Sequence, residues 1–269
     1  MREVVGALDA DVEVVAIDDA RDPDRAGAAI RSLVAAPGCI GVVGPKNSGS
    51  ALAAAPIAAA AGLPLVLPCA TADRLTGTAG TTFRLCAPDS ATAAAAVDLA
   101  IEVRIDILAV LADDTEYGRY LAETVRSAAK AVGLATRGDV AGADGAFLAM
   151  GEVEQATLMV ELRAGGFTGQ FVSAEGGPHA PLPDLAHGAA EGAWLLYPGR
   201  PVASRTVYAA EAADAARVLL AGAGDVTAIR SNIVDGETGT IRFTPAGERD
   251  GATVSRYRVV DGEACLITS

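Results

Sequence analysis

The sequence predicts an α/β protein of two lobes, each a parallel sheet flanked by helices, and three observations carry that prediction. Short apolar segments such as 40–43 (IGVV), 63–67 (LPLVL) and 107–111 (ILAVL) are continuous runs rather than alternations, as in strands covered on both faces. Helical patterns separate them at a spacing that suits parallel strands joined by right-handed crossovers. The strands also fall into two clusters, before and after about Ser90, with no Gly/Ser-rich linker between. A chain that crosses between two lobes by short connections has this look.

At 269 residues the chain can bury a substantial core, and its composition says what that core is made of. Hydrophobic residues make up 51% but aromatics only 4%, so Ala, Val, Leu and Ile must fill the space between layers. A net charge of −13, from 34 acidic against 21 basic residues, argues against a nucleic-acid partner, which needs clustered Lys and Arg. The most apolar window, 51–61, is Ala-rich and too short to span a membrane. The N-terminal letters MREVVGALDADVEVVAID lack the charged leader, long apolar region and cleavage site of a secretory signal, so the sequence leaves the compartment open, cytoplasm included. Cys39, Cys69, Cys86 and Cys265 have no CxxC or metal-ligand spacing and read as free thiols. His179 and His187 lie in a Pro-rich loop where nothing completes a metal set, and no cofactor is expected.

Taken in order, residues 12–17 (VEVVAI) predict a first strand, followed by the acidic loop DDARDPDRA and a helix over 25–34 that runs into Pro37-Gly38. Residues 40–73 then form one βαβ unit: a strand, the small polar turn 45–50, an Ala-rich helix, a second strand and the polar turn 68–73. Both turns leave parallel strands, so they share the sheet edge at which ligands bind. A strand at 82–85 precedes Ser90, which reads as the N-cap of a helix from 91 to about 102. The strand 107–111 ends in ADDTEYGR, and its helix, 120–131, stops at Gly133. Strands near 134–138 and 146–150, a helix at 153–164, a strand at 171–173, the loop AEGGPHAPLPDLAHG and a strand at 192–197 continue the alternation. The tail differs. A helix over 208–221 is followed by segments 239–243 and 255–260, which read as an antiparallel closing hairpin around the turn 245–247.

Four positions stand out chemically. Ser48 and Thr71 lie 23 residues apart, about one strand-to-strand repeat, so two hydroxyls and two sets of backbone N–H groups face one place, a good arrangement for a carboxylate. Both can equally be helix caps, and the residues alone leave the two readings open. Tyr117, after strand 107–111, can cover a ligand or pack on its own lobe. Glu175 follows strand 171–173, where its carboxylate can pair with an ammonium group or simply face water. Asp113, Asp114 and Glu116 read as solvated charges near a helix N-terminus.

The run VVAIDDARDPDRAGAAIRSLVAAPGCIGVVGPKNSGSALAAAPIAAAAGLPLVLPCATADRLT resembles the first lobe of the type I periplasmic binding proteins, in the branch of the leucine/isoleucine/valine-binding proteins of ABC transporters. The likeness continues through FRLCAPDS, ADDTEYGRYLAETVRSAAKAVG, FVSAEGGPHAPLPDLAHGAAEGAWLLYP and DGETGTIRFTPAGERDG, and so covers most of the chain. It implies an N-terminal lobe of residues 1–89 plus about 200–238 and a C-terminal lobe of 90–199 plus about 239–269. It implies that Ser48, the main chain of Cys69, Ala70, and Thr71 meet the α-carboxylate of an amino acid, that Tyr117 lines the cleft and that Glu175 binds the α-ammonium group. An ABC permease is the implied partner.

Three segments depart from the family pattern. The strand that begins the family's first sheet has no counterpart in MREVVGALDA, only residues 139–145 stand where a helix is usual, and PGRPVASRTV replaces a helical stretch. A missing central strand leaves its neighbours unpaired, so the expectation is that the chain is part of a longer polypeptide, that another segment replaces the strand, or that a partner chain donates one, as in a homodimer. The expected function is therefore a solute-binding module for an amino acid or amide-like ligand. The alternative is a cytoplasmic or receptor-linked regulatory or sensor domain that keeps the fold for signalling or assembly. No enzyme is expected: GxSxG, GxxxxGK[ST] and HExxH are all absent.

Overall fold

The computed structural model describes residues 11–77, 80–177, 179–202 and 205–267. In chain order the elements are α1 (Pro23–Ala35), β1 (Val42–Val43), α2 (Ser48–Ala60), β2 (Leu65–Leu67), β3 (Thr82–Arg84), α3 (Asp89–Glu102), β4 (Ile107–Ala112), α4 (Glu116–Val132), β5 (Ala135–Arg137) and β6 (Gly145–Ala149). There follow α5 (Glu152–Ala164), β7 (Gln170–Ser173), α6 (Leu182–Leu185), β8 (Trp194–Tyr197), α7 (Ala209–Ala221), α8 (Val226–Ser231), β9 (Val234–Gly236), β10 (Gly239–Ile241), β11 (Ser255–Val260) and β12 (Glu263–Ile267). They form two compact units, Met1–Ala87 with Tyr208–Ala252, and Pro88–Val207 with Thr253–Ser269.

In the first unit β1, β2 and β3 make a parallel sheet in that order. The apolar run of β2 is explained by its two faces. Leu65 and Leu67 pack with Ile30 of α1 and Ala51, Ala54 and Ala58 of α2. Val66 packs on the opposite side with Phe83, Ala215, Val218 and Leu219, the last three from α7. Alanine at the contact positions lets α2 lie close to the sheet, so few aromatics are needed. Helix α1 starts at Pro23 because Asp22 accepts from the Asp24 and Arg25 N–H groups while proline needs no acceptor.

The second unit holds seven strands in the order β12-β11-β8-β7-β6-β4-β5. The stretch from β5 to β8 is parallel, and β11 adds antiparallel to β8 and to β12. Helices α3 and α4 cover one face, where Ala96, Leu99, Leu121 and Val125 meet Leu108, Val110, Phe147 and Val172. Gly133 closes α4 in the left-handed conformation at φ 79°, as its position after the last apolar residue predicts.

Three expectations are corrected. Residues 12–17 form no strand: 11–19 carry no regular structure, and Val15 and Ile17 are 60% and 46% exposed. A strand needs a partner, and among the described residues β1 is the last strand at its side of the sheet. Segments 239–243 and 255–260 do not pair with each other. β10 pairs with β9 in the first unit, and β11 with β8 and β12 in the second. The turn that makes the true terminal hairpin is Asp261-Gly262, both at positive φ (53° and 78°), a legible Asp-Gly signal. Ser90 lies inside the first turn of α3, whose cap position is Pro88. The expected lack of a first strand in MREVVGALDA falls on residues outside those described.

Asp214, fully buried on α7, holds the β9–β10 turn: Oδ1 accepts from Arg217 Nη1 (2.8 Å) and Glu237 N–H (2.7 Å), and Oδ2 from the Thr238 N–H (2.9 Å) and hydroxyl (2.6 Å). Replacing it leaves buried donors without an acceptor, so Asp214→Ala is expected to cost about 3–5 kcal/mol in urea unfolding. An Arg217→Ala loss equal to that of Asp214→Ala would show that the ion pair, and not the turn, carries the stabilisation.

Candidate functional site

The first unit supplies the turns before α2 and after β2. Ser48 opens α2 and is buried; the cap residue Asn47 makes no side-chain bond to the helix, and the first turn contains no acid. The positive end of the helix dipole is thus left without a competing side-chain anion. The Ser48 Oγ accepts from the Ala72 N–H at 3.3 Å, tying the first turn to the second. Neither expected hydroxyl caps its own helix. Ser48 bonds the other turn, and the short helix Asp73–Leu75 has Ala72 at its cap. Ala70 and Thr71 are buried, and the Ala70 carbonyl accepts from the Cys86 thiol at 3.5 Å. Cys69 is half-buried, and its thiol donates to the Lys46 carbonyl at 3.8 Å, a second link between the turns. Ser50, two residues beyond Ser48, buries a hydroxyl with no hydrogen-bond partner among the described residues.

In the second unit β4 and β7 are parallel with β6 between them, so the segments after them leave at one edge. Thr115 caps α4 by accepting from the Gly118 N–H at 2.9 Å, and its own hydroxyl donates to Asp113 Oδ1 at 2.6 Å. Gly118 is required there: a Cβ would lie 2.1 Å from that Oδ1 and 2.6 Å from the Ala149 carbonyl oxygen. This box fixes Tyr117 in the first turn of α4. After β7 the Ser173 hydroxyl donates to the Glu175 carbonyl at 2.6 Å and accepts from the Glu175 N–H at 3.0 Å, so the Glu175 main chain is also fixed.

The structure brings Tyr117 and Glu175 together, the phenol donating to the carboxylate. Burial above all, then the charges of Glu175 and Asp89, hold the phenol well above its ordinary pKa, with the Glu175 hydrogen bond and Asp113 adding to the effect. Tyr117 is therefore a neutral donor close to the carboxylates of Glu175, Asp89 and Asp113. Asp113, expected near a helix N-terminus, stands just before α4 and accepts from the Thr115 N–H at 3.1 Å and hydroxyl at 2.6 Å.

A family model described as periplasmic binding protein matches residues 3–142, just over half of the chain. The chain belongs to the periplasmic binding protein family. Among curated proteins a sequence search finds no match. Among solved structures this family member is similar to a leucine binding protein from Thermotoga maritima, with a TM-score of 0.88 and 20% identity over 99% of this chain and 91% of that one. An ABC transporter substrate-binding protein from Desulfitobacterium hafniense in complex with Leu gives 0.81 and 20% identity over 99% and 93%. A branched-chain amino acid transporter substrate-binding protein from Streptococcus pneumoniae in complex with isoleucine gives 0.81 and 18% over 99% and 91%. At these identities the likeness establishes the type I periplasmic-binding-protein fold.

Residue-type reasoning missed one residue in each unit. Asp89, at the start of α3, is buried and close enough to act on Tyr117, and its place right after Pro88 in FRLCAPDS was the available signal. Arg84 is buried beneath the second turn and is taken up below. Because the native state holds the neutral phenol of Tyr117, the stabilisation it gives is whole below the ordinary tyrosine pKa, about 10, and is lost as pH rises beyond it toward the raised native value. Absorbance titration of tyrosinate is expected to show a late-ionising component that disappears in Tyr117→Phe and shifts back toward normal in Glu175→Gln. A Tyr117→Phe difference curve titrating near 10 would contradict the assignment.

Proposed function

We propose that the protein is a solute-binding module that closes its two units on a small amino-acid-like zwitterion, as the substrate-binding component of an ABC transporter with a permease as partner. The opposite polarity of the two half-sites carries this reading. One is rich in donors: the uncapped start of α2, the Ser48 and Thr71 hydroxyls and the main chain of Cys69 and Ala70, which suit a carboxylate. The other sets Glu175 and Asp89 around the neutral Tyr117 phenol, which suits an ammonium group. No chemistry is required of either.

The test is a thermal-shift panel of amino acids and related amides headed by L-leucine and L-isoleucine, the ligands of the two complexes named above. A ligand at a hundred times its Kd adds about 2.7 kcal/mol to the folded state. A clear rise in melting temperature is expected for at least one amino acid and none for it with Glu175→Ala. A panel that moves nothing at saturating concentration refutes the reading.

The extended segment 11–17 favours a second reading, assembly, with or without ligand. Val15 and Ile17 are exposed, and β1, beside which a strand would fit, pairs only with β2 among the described residues. A second copy carries both features, so a reciprocal exchange of this segment onto the edge of β1 is self-complementary. Light scattering is expected to show concentration-dependent dimers that revert to monomers in Val15→Lys/Ile17→Lys. A wild-type monomer at all concentrations rules this out.

A further inference from the structure

We propose that Arg84 is a positioning residue for the carboxylate end of the ligand, acting through the Thr71–Ala72 peptide on the Ser48 hydroxyl; this rests on the binding reading above. Arg84 ends β3 and is the largest fully buried side chain among the described residues, 1% exposed. An apolar residue would fill that place without desolvating a charge. The guanidinium does something an apolar group cannot: it branches. Its Nε donates to Glu248 Oε2 at 3.0 Å and its Nη2 pairs with Glu248 Oε1. Its Nη1 donates to the carbonyls of Thr71 at 2.8 Å and Ala72 at 2.7 Å.

Glu248 is delivered by the main chain on either side. The Arg84 N–H donates to the Gly247 carbonyl at 2.8 Å, and the Arg249 N–H to the Arg84 carbonyl at 3.0 Å. Gly247, at φ 86°, permits this approach, because a Cβ there would sit 2.2 Å from the Thr82 carbonyl oxygen. The Thr76 hydroxyl donates to the same carboxylate. The acid thus neutralises the buried cation from the side away from the turn, leaving Nη1 to the two carbonyls.

The Thr71–Ala72 peptide is gripped from both sides, its oxygen by Arg84 and its N–H by Ser48 Oγ. In a trans peptide the two groups point opposite ways within one plane, so cation and hydroxyl sit at opposite edges of it. A guanidinium on the carbonyl polarises the peptide and strengthens its N–H as a donor. A serine oxygen that accepts from Ala72 keeps its own proton for another acceptor. That is the hydroxyl a carboxylate needs: held in place and committed to donating.

The test is a double-mutant cycle on Arg84→Lys and Ser48→Ala, read as L-leucine affinity by calorimetry, with amide hydrogen exchange of the ligand-free proteins. Lysine keeps a cation but cannot reach Glu248 and both carbonyls at once. Arg84→Lys is expected to weaken L-leucine about tenfold or more in the wild type and only slightly in Ser48→Ala, because the effect runs through that hydroxyl. Glu248→Gln, at a partly exposed site, should move affinity the same way by less. In the ligand-free protein, Arg84→Lys should speed exchange at the Ala72 amide about tenfold while Val110 and Phe147 in the other unit stay protected. Additive losses in the cycle, or unchanged Ala72 exchange, overturn the proposal. Arg84-dependent protection of Ala72 in a protein that does not bind L-leucine supports the clamp and counts against the binding reading instead.

Discussion

Parallel pairing is the constraint on which the rest depends. A parallel ladder sends every strand out through the same edge and forces each return through a helix, so the segments following β1 and β2, and those following β4 and β7, are neighbours without being close in sequence. Ser48 reaches Ala72 and Tyr117 reaches Glu175 for this reason alone. The same ladder covers both faces of each central strand, which is why β2 and β6 are apolar throughout. Placing polar groups at the strand ends is then the only way to build a site without disturbing the core.

Two buried charges hold loops. Asp214 collects the β9–β10 turn, and Arg84 collects the 71–72 turn together with the 247–249 segment. Each charged group replaces an apolar side chain that would pack more cheaply, and each satisfies main-chain groups that no apolar residue could satisfy. Tyr117 and Glu175 obey a different logic. Burial there, with the carboxylates of Glu175 and Asp89 close by, keeps a phenol neutral.

These differences mark what the letters alone disclose. Strands covered on both faces were legible because their apolar runs report burial directly, and the residues following them, Ser48, Thr71, Tyr117 and Glu175, could be placed by counting. Segment 12–17 has the same side chains, yet composition describes a strand's faces and not its edges, and the edge is what it lacks. The tail was misread because 239–243 and 255–260 look alike, while the decisive signal was the two-residue Asp261-Gly262 turn further on. Arg84 was illegible for a third reason. An arginine in a short strand reads as a solvent-facing charge, and its burial depends on Glu248, 164 residues later.

Under the proposed function, the opposite polarity of the two half-sites has a consequence for selectivity. A carboxylate against the start of α2 and an ammonium group against Glu175 each trade strong hydration for a fixed partner, and each exchange alone is close to balanced. A molecule carrying both groups makes the second contact without a second loss of translational freedom, so the gain is concentrated on zwitterions. A simple amine or a simple acid would satisfy one half-site only. Discrimination of this kind comes from the penalty on the wrong ligand as much as from contacts to the right one.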